Sequence, residues 1–310
     1  METGTAIAAI DCGTNSTRLL VSDSAGRPLE RLMRITRLGQ GVDATGRLAP
    51  EAVERCLTVL AEFRGLMDGL GVGRGRLAAT SAARDAANGE EFLRAAGEVT
   101  GLVPELLTGI DEGRLSMAGA VADLDPADGP FLVLDIGGGS TELIAADGPD
   151  DPDLAAVSLQ LGCVRVSERF LTDDPPTSEE LAAAQTEAAA QIESAIDSHP
   201  RYLDARRLVG LAGTVSTLAS LQLGMEVYDR DRIHHALLGA DDVRSWFERL
   251  AAEPTSRRLV RPGMVPGRED VIVGGAMILD AVMRRFGFSE CLVSEADILD
   301  GLIASQVAPV

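Results

Sequence analysis

Residues 131–161 read FLVLDIGGGSTELIAADGPDDPDLAAVSLQL, and residues 5–35 read TAIAAIDCGTNSTRLLVSDSAGRPLERLMRI. Each stretch opens with an apolar run that ends on an aspartate, Asp135 or Asp11, and then breaks into a glycine-containing turn. A second strand-like run, a polar turn and a third run follow in both. The same order of signals twice in one chain predicts a duplicated β-hairpin unit.

Helical text follows each unit. Ala52 to Leu70 carries Val53, Leu57, Leu60 and Phe63 near helical spacing, with Gly69 and Gly71 as stops. A strand over 77–81, a helix over 90–100, a short strand over 103–107 and a helix opening near Asp111 complete the first half. In the second half the patterns predict helices over 178–198, 215–223, 241–252 and 270–286, and strands over 208–211 and 291–293, before a terminal helix. Alternating strands and helices predict an α/β fold with a mixed sheet in each half. The turn-rich DLDPADGP at 123–130 places the boundary. Domain I is expected over 1–126, with the last helix, about 297–310, returning to it, and domain II over 127–296.

The 310 residues suffice for two such domains. The formal net charge of −20 excludes the broad basic face that holds nucleic acid, so an anionic ligand has to be gripped locally. The chain contains no lysine, and all 28 basic side chains are arginine. That excludes a P-loop, whose lysine reaches the β- and γ-phosphates, and Schiff-base chemistry, which needs a lysine amine. Cys12, Cys56, Cys163 and Cys291 are scattered without CxxC spacing and read as free thiols. The absence of a long apolar run and of a basic leader predicts a cytoplasmic protein with no membrane partner.

Asp135-Ile136-Gly137-Gly138-Gly139-Ser140-Thr141-Glu142 is the strongest chemical signal. Consecutive glycines let several backbone N–H groups converge on one anion, and the alternative is a flexible hairpin turn. Asp135 and Glu142 flank the turn with carboxylates that suit a hard cation such as Mg2+. Asp11 followed by Gly13, Thr14, Asn15 and Ser16 is the matching turn in the first half, and an approximate two-fold would bring both turns to one cleft. Thr108 with Asp111 forms a capping-box-like pattern, compatible with Glu112 acting on water from the helix rim. Arg84, after the strand over 77–81, offers a planar fork for phosphate oxygens. The turn 210–214, GLAGT, leads a strand into a helix N-terminus. His234 and His235 have no ligand spacing around them and read as a surface loop.

Taken in order, AIDCGTNSTRLL (9–20), ATSAARDAAN (79–88), LLTGIDEGRL (106–115), LVLDIGGGSTELI (132–144), LGCVRVSERF (161–170), GLAGTVSTLA (210–219) and GREDVIVGGAMIL (267–279) resemble the exopolyphosphatase and guanosine pentaphosphate phosphohydrolase family. That family lies within the sugar-kinase, heat-shock and actin superfamily. The resemblance implies two actin-like, ribonuclease H-like domains, each with a five-stranded mixed sheet and flanking helices, and a cleft between them. It implies Glu112 as the base that activates water, Asp135 and Glu142 as metal-linked acids with Asp11 as a further partner, and Gly137, Gly138, Gly139, Ser140, Asn15, Ser16 and Arg84 as phosphate binders. The implied activity is hydrolysis of the terminal phosphate of inorganic polyphosphate with Mg2+ or Mn2+, by a homodimer. Two departures accompany it. Leu299 stands where many relatives carry arginine, and long relatives continue past the point where this chain ends, which suggests short polyphosphates. The competing readings are hydrolysis of guanosine pentaphosphate (pppGpp), an ATP-dependent kinase, and a non-catalytic sensor of a phosphate-rich signal.

Overall fold

The computed structural model describes residues 6–307. Thr5 and residues 308–310, which belong to the expected first strand and last helix, lie outside that range. The chain divides into two compact units. The first takes the described residues up to Gly119 and those from Ile298 onward, and the second runs Ala120–Asp297.

In the first unit, strands β1 (Ala6–Cys12), β2 (Ser16–Ser22), β3 (Pro28–Ile35), β4 (Val72–Ala79) and β5 (Pro104–Leu106) form one sheet in the order β3-β2-β1-β4-β5. The hairpins β1-β2 and β2-β3 are antiparallel, whereas β1-β4 and β4-β5 are parallel. β1 is buried on both faces, which is why it reads as an unbroken apolar run. Its alternation divides it between two cores. Ala6, Ala8, Ile10 and Cys12 pack with Leu60, Phe63, Met67, Phe92 and Ala96 of the helices Pro50–Gly69 and Gly89–Thr100. Ile7 and Ala9 pack with Ile298, Leu299, Leu302 and Ile303 of the helix Ile298–Ala304.

That last helix is fixed to the first unit by more than its apolar face. Arg31 Nη2 of β3 lies 2.5 Å from Asp300 Oδ2. Gly301 meets the helix Gly109–Ala120 so closely that a Cβ there would stand 2.1 Å from the Leu115 carbonyl oxygen. Leu299 is 1% exposed and packs within the apolar cluster, so it is part of the core.

The second unit repeats the plan with strands β6 (Phe131–Ile136), β7 (Thr141–Ala146), β8 (Ala155–Leu159), β9 (Arg207–Leu211), β10 (Leu237–Gly239) and β11 (Glu290–Val293). Their order is β10-β11-β9-β6-β7-β8. β6-β7 and β7-β8 are antiparallel, while β6-β9 and β9-β11 are parallel, so β8-β7-β6-β9-β11 reproduces the first sheet strand for strand. The expectation of five strands in each half needs correction here. β10 pairs antiparallel with β11 and makes a six-stranded sheet, and its three residues are too few to show an alternating pattern. Ala184, Ala188, Ile192 and Ala195 form one stripe of the helix Ser178–Ser198 and pack with Leu132, Leu134 and Ile136 in a core shared with the helix Ile272–Phe286. All four cysteines are free and buried, as expected from their spacing. No helix among the described residues is long and apolar enough to cross a membrane.

The Gly301 contact gives a stability prediction. Gly301→Ala forces a methyl against a backbone carbonyl and is expected to cost about 1–3 kcal/mol, the range for an overpacked interior. A urea midpoint that matches the parent would show that the two helices separate freely.

Candidate active site

The two hairpin turns are built alike. The N–H of Gly13 donates to the Ser16 carbonyl at 3.0 Å, and the N–H of Gly137 donates to the Ser140 carbonyl at 3.0 Å. A Cβ at either glycine would meet that carbonyl oxygen at 3.1 Å. Each turn is then gripped from below by the segment after the third strand. Thr14 O accepts from Gly39 N at 2.9 Å, and Gly138 O accepts from Val164 N at 2.9 Å and from Arg165 N at 3.1 Å. Gly162 has to be glycine because a Cβ would lie 2.3 Å from the Gly138 oxygen. With the carbonyls so committed, the N–H groups of Thr14 and Asn15 in one turn and of Gly138 and Gly139 in the other have no acceptor among the described residues. Adjacent unsatisfied N–H groups at a turn are the makings of an anion nest.

The same register places a charged pair beside each turn, and here the copies differ. Asp11 stands opposite Arg18 across β1-β2, and Asp135 stands opposite Glu142 across β6-β7. Directly opposed residues share a sheet face. Asp11 Oδ2 accepts from Arg18 Nε at 3.0 Å and from Nη2 at 2.7 Å, so its charge is compensated by its own neighbour. Asp135 and Glu142, 6% and 1% exposed, bring two carboxylates to the equivalent place. Glu142 Oε1 accepts from Ser158 Oγ at 2.7 Å, which orients one side of the group. Two buried carboxylates at facing positions repel each other, a cost that a shared cation would lower. The donors are all oxygens, which fits Mg2+ or Mn2+ and not a soft metal.

The remaining expected residues of the first unit are Arg84 and Glu112. Arg84 lies on the short helix Ser81–Asp85, and its Nη1 donates to the Leu107 carbonyl at 2.9 Å and to Glu112 Oε2 at 3.3 Å. Its Nη2 is buried and makes no hydrogen bond with the described residues, as is also true of Asn15 Nδ2. Buried donors left in this state are costly in a folded chain, and an anionic ligand is a ready way to satisfy them. Glu112 is on the first turn of its helix. There Asp111 N donates to Thr108 Oγ1 at 3.1 Å and Thr108 Oγ1 donates to Asp111 Oδ2 at 2.7 Å. The capping interaction therefore falls to Asp111, while the next carboxylate faces Arg84. Ser16 opens β2 and contributes its carbonyl to the turn, and Ser140 is buried in the equivalent place.

Sequence reading did not assign Arg268. In the second unit the turn into the helix Ala212–Gln222 holds Ala212 at φ 64, and a Cβ at Gly213 would lie 1.7 Å from Arg268 Cζ. A guanidinium is thus stacked on the backbone at a helix start that reads, in the sequence alone, as an anion site. The stretch GREDV carried no local pattern that tied Arg268 to a glycine 55 positions earlier.

A duplicated mixed sheet with paired turns, two facing carboxylates and buried unsatisfied donors defines a phosphate-handling protein. The Ppx/GppA phosphatase family model matches residues 20–309, and the chain belongs to that family. It is 42% identical to exopolyphosphatase 2 of Mycobacterium tuberculosis over 97% of this chain and 98% of that protein. Among solved structures it is similar to the Aquifex aeolicus member of the family, with 31% identity, a TM-score of 0.79 and coverage of 98% and 97%. It is also similar to an exopolyphosphatase from Cytophaga hutchinsonii, with 26% identity, a TM-score of 0.87 and coverage of 98% of both chains.

The Arg18–Asp11 pair yields a prediction of its own. Arg18→Gln leaves a nearly buried carboxylate short of its fork and is expected to destabilise the protein by about 3 kcal/mol or more. Adding Asp11→Asn should recover much of that loss in a double-mutant cycle read by chemical denaturation. Losses of the two single variants that simply add in the double variant would deny that the pair is coupled.

Proposed function

We propose that this protein is an exopolyphosphatase that removes the terminal phosphate of inorganic polyphosphate with the help of Mg2+ or Mn2+. End-to-end likeness to the mycobacterial exopolyphosphatase carries the reading, and the chemistry of the two units supports it. In the second unit, Asp135 and Glu142 would hold the cation, and the N–H groups of Gly138 and Gly139 with the Ser140 hydroxyl would bind phosphate oxygens. In the first unit, the Asn15 amide, the turn around Ser16 and the Arg84 fork would take further phosphate oxygens. Asp11, already paired with Arg18, supports its own turn in this scheme. When bound, the cation supplies charge neutralisation on the transferred group.

Glu112 is the proposed base. Its Oε2 is steadied by Arg84 Nη1, which would direct the carboxylate as it takes a proton from water. The same arginine, through Nη2, would fix the terminal phosphate relative to that water, which turns positioning into rate. A phosphoryl transfer of this kind asks little covalent chemistry of the protein and depends on alignment and charge stabilisation. With a net charge of −20, attraction of a polyanion rests on these local groups and on the metal rather than on the whole surface.

Two outcomes test the proposal. Phosphate release from a short polyphosphate is expected to require Mg2+ or Mn2+ and to vanish with excess chelator. Glu112→Gln is expected to lower the rate about a hundredfold or more at unchanged fold, the scale for loss of a general base. Guanosine pentaphosphate ends in the same anhydride and belongs in a parallel assay. Preferential release from it, with polyphosphate left intact, would replace the substrate named here.

A further inference from the structure

Asp123, His234 and His235 come together in the second unit, with His234 standing 111 positions after Asp123, and outside the groups of the proposed active site. His234 Nε2 is 3.0 Å from Asp123 Oδ2, and His235 Nε2 is 3.6 Å from Asp123 Oδ1. One ligand atom from each of the three lies within 4.8 Å of the others. Neighbouring residues in a chain rarely aim at one carboxylate. Here they do so because His235 takes φ 63, a left-handed conformation that costs a histidine energy, and its ring stacks on His234 at 3.9 Å between centroids. The backbone that holds this arrangement is pinned to β11, with His235 N donating to Val293 O at 2.7 Å and Val293 N donating to Ala236 O at 2.9 Å.

We propose that Asp123, His234 and His235 form a second divalent-metal site, selective for a borderline ion of the Zn2+ type and distinct from the oxygen-only pair at Asp135 and Glu142. Two imidazoles and one carboxylate are the donors such ions take, whereas Mg2+ favours oxygen alone. Tetrahedral bonds of about 2.0–2.2 Å place ligand atoms about 3.4 Å apart, and the imidazole nitrogens stand 3.0 Å from Asp123 Oδ2 and 3.6 Å from Asp123 Oδ1, close to that separation. Modest rotation of the stacked rings brings both Nε2 lone pairs onto one ion. The side chains are 50%, 24% and 37% exposed for Asp123, His234 and His235, which gives an ion access and leaves a position for water.

Ligation would have a defined structural consequence. His234 Nδ1 now accepts from the Glu295 N–H at 3.1 Å, so the neutral ring carries its proton on Nε2. Binding through Nε2 moves that proton to Nδ1, and the Glu295 amide loses its acceptor. The Glu295 carboxylate stays occupied by Tyr228 OH at 2.7 Å and Ser216 Oγ at 2.5 Å, with Arg230 Nε 3.7 Å away. Asp123 follows Ala120, where the chain enters the second unit, and Glu295 precedes Asp297, where it leaves. Metal would therefore join the entering segment to the histidines while releasing one bond to the departing segment.

The chain has only three histidines, so nitrogen-detected imidazole NMR is simple to read and His199, which caps Arg201 N, serves as the internal reference. Zn2+ is added to one equivalent with millimolar Mg2+ present to occupy the oxygen site. The expected result is that His234 and His235 shift, His199 does not, and the Glu295 amide exchanges faster. Zn2+ affinity should fall at least about tenfold in Asp123→Asn and in His235→Gly, the latter chosen because glycine suits the positive φ and keeps the fold. Unmoved resonances for His234 and His235, an equal response from His199, or variants that bind Zn2+ as the parent does would overturn the site.

Discussion

A buried carboxylate at the end of a central strand is costly unless its charge is compensated, and both halves of the molecule place one at the same point. Asp11 and Asp135 occupy the same place in two copies of one hairpin, each seven residues ahead of the side chain that faces it. In the first copy that side chain is Arg18, and the charge is settled within the protein. In the second it is Glu142, and the charge is doubled. The first copy thus carries a compensated acid beside its turn, and the second carries two facing acids.

The glycines explain why the turns survive in both copies. Gly13 and Gly137 close the hairpins on the carbonyls of Ser16 and Ser140, and the carbonyls of Thr14 and Gly138 are consumed by the chain beneath them. Only N–H groups remain to face a ligand. The packing therefore leaves adjacent backbone N–H groups in the geometry of an anion nest, in a chain whose overall charge would repel a phosphate polymer. Arg84 is held through Nη1 by the Leu107 carbonyl and Glu112, and its buried Nη2 makes no hydrogen bond with the described residues.

Much of the architecture was legible in the sequence because its signals are local. The helix over 178–198 coincides with Ser178–Ser198, whose capping box joins Thr177 and Glu180. The two hairpins announce themselves by apolar runs stopped by aspartate and glycine. β10 was not legible, since Leu237–Gly239 has too few residues to carry a period and exists only by pairing with β11. The helix Cys163–Phe170 was also missed, because it is set by the grip of Gly137 and Gly138 carbonyls on its first N–H groups and not by a capping side chain of its own. Among the site residues, the turn glycines and their flanking acids could be picked out by type. The pairing of Asp11 with Arg18 could have been inferred from the seven-residue spacing shared with Asp135 and Glu142. No sequence signal joins Asp123 to His234 and His235, or Arg268 to Gly213, because those contacts exist only after the chain has folded.

The most direct measurement is the thermal midpoint with and without Mg2+, for the parent and for Glu142→Gln. If Asp135 and Glu142 share a cation, Mg2+ binding to the folded parent raises its midpoint by mass action, and Glu142→Gln, with the like-charge conflict relieved, unfolds at nearly the same temperature in either condition. An equal Mg2+ shift in the two proteins, or no shift in the parent, would contradict the account.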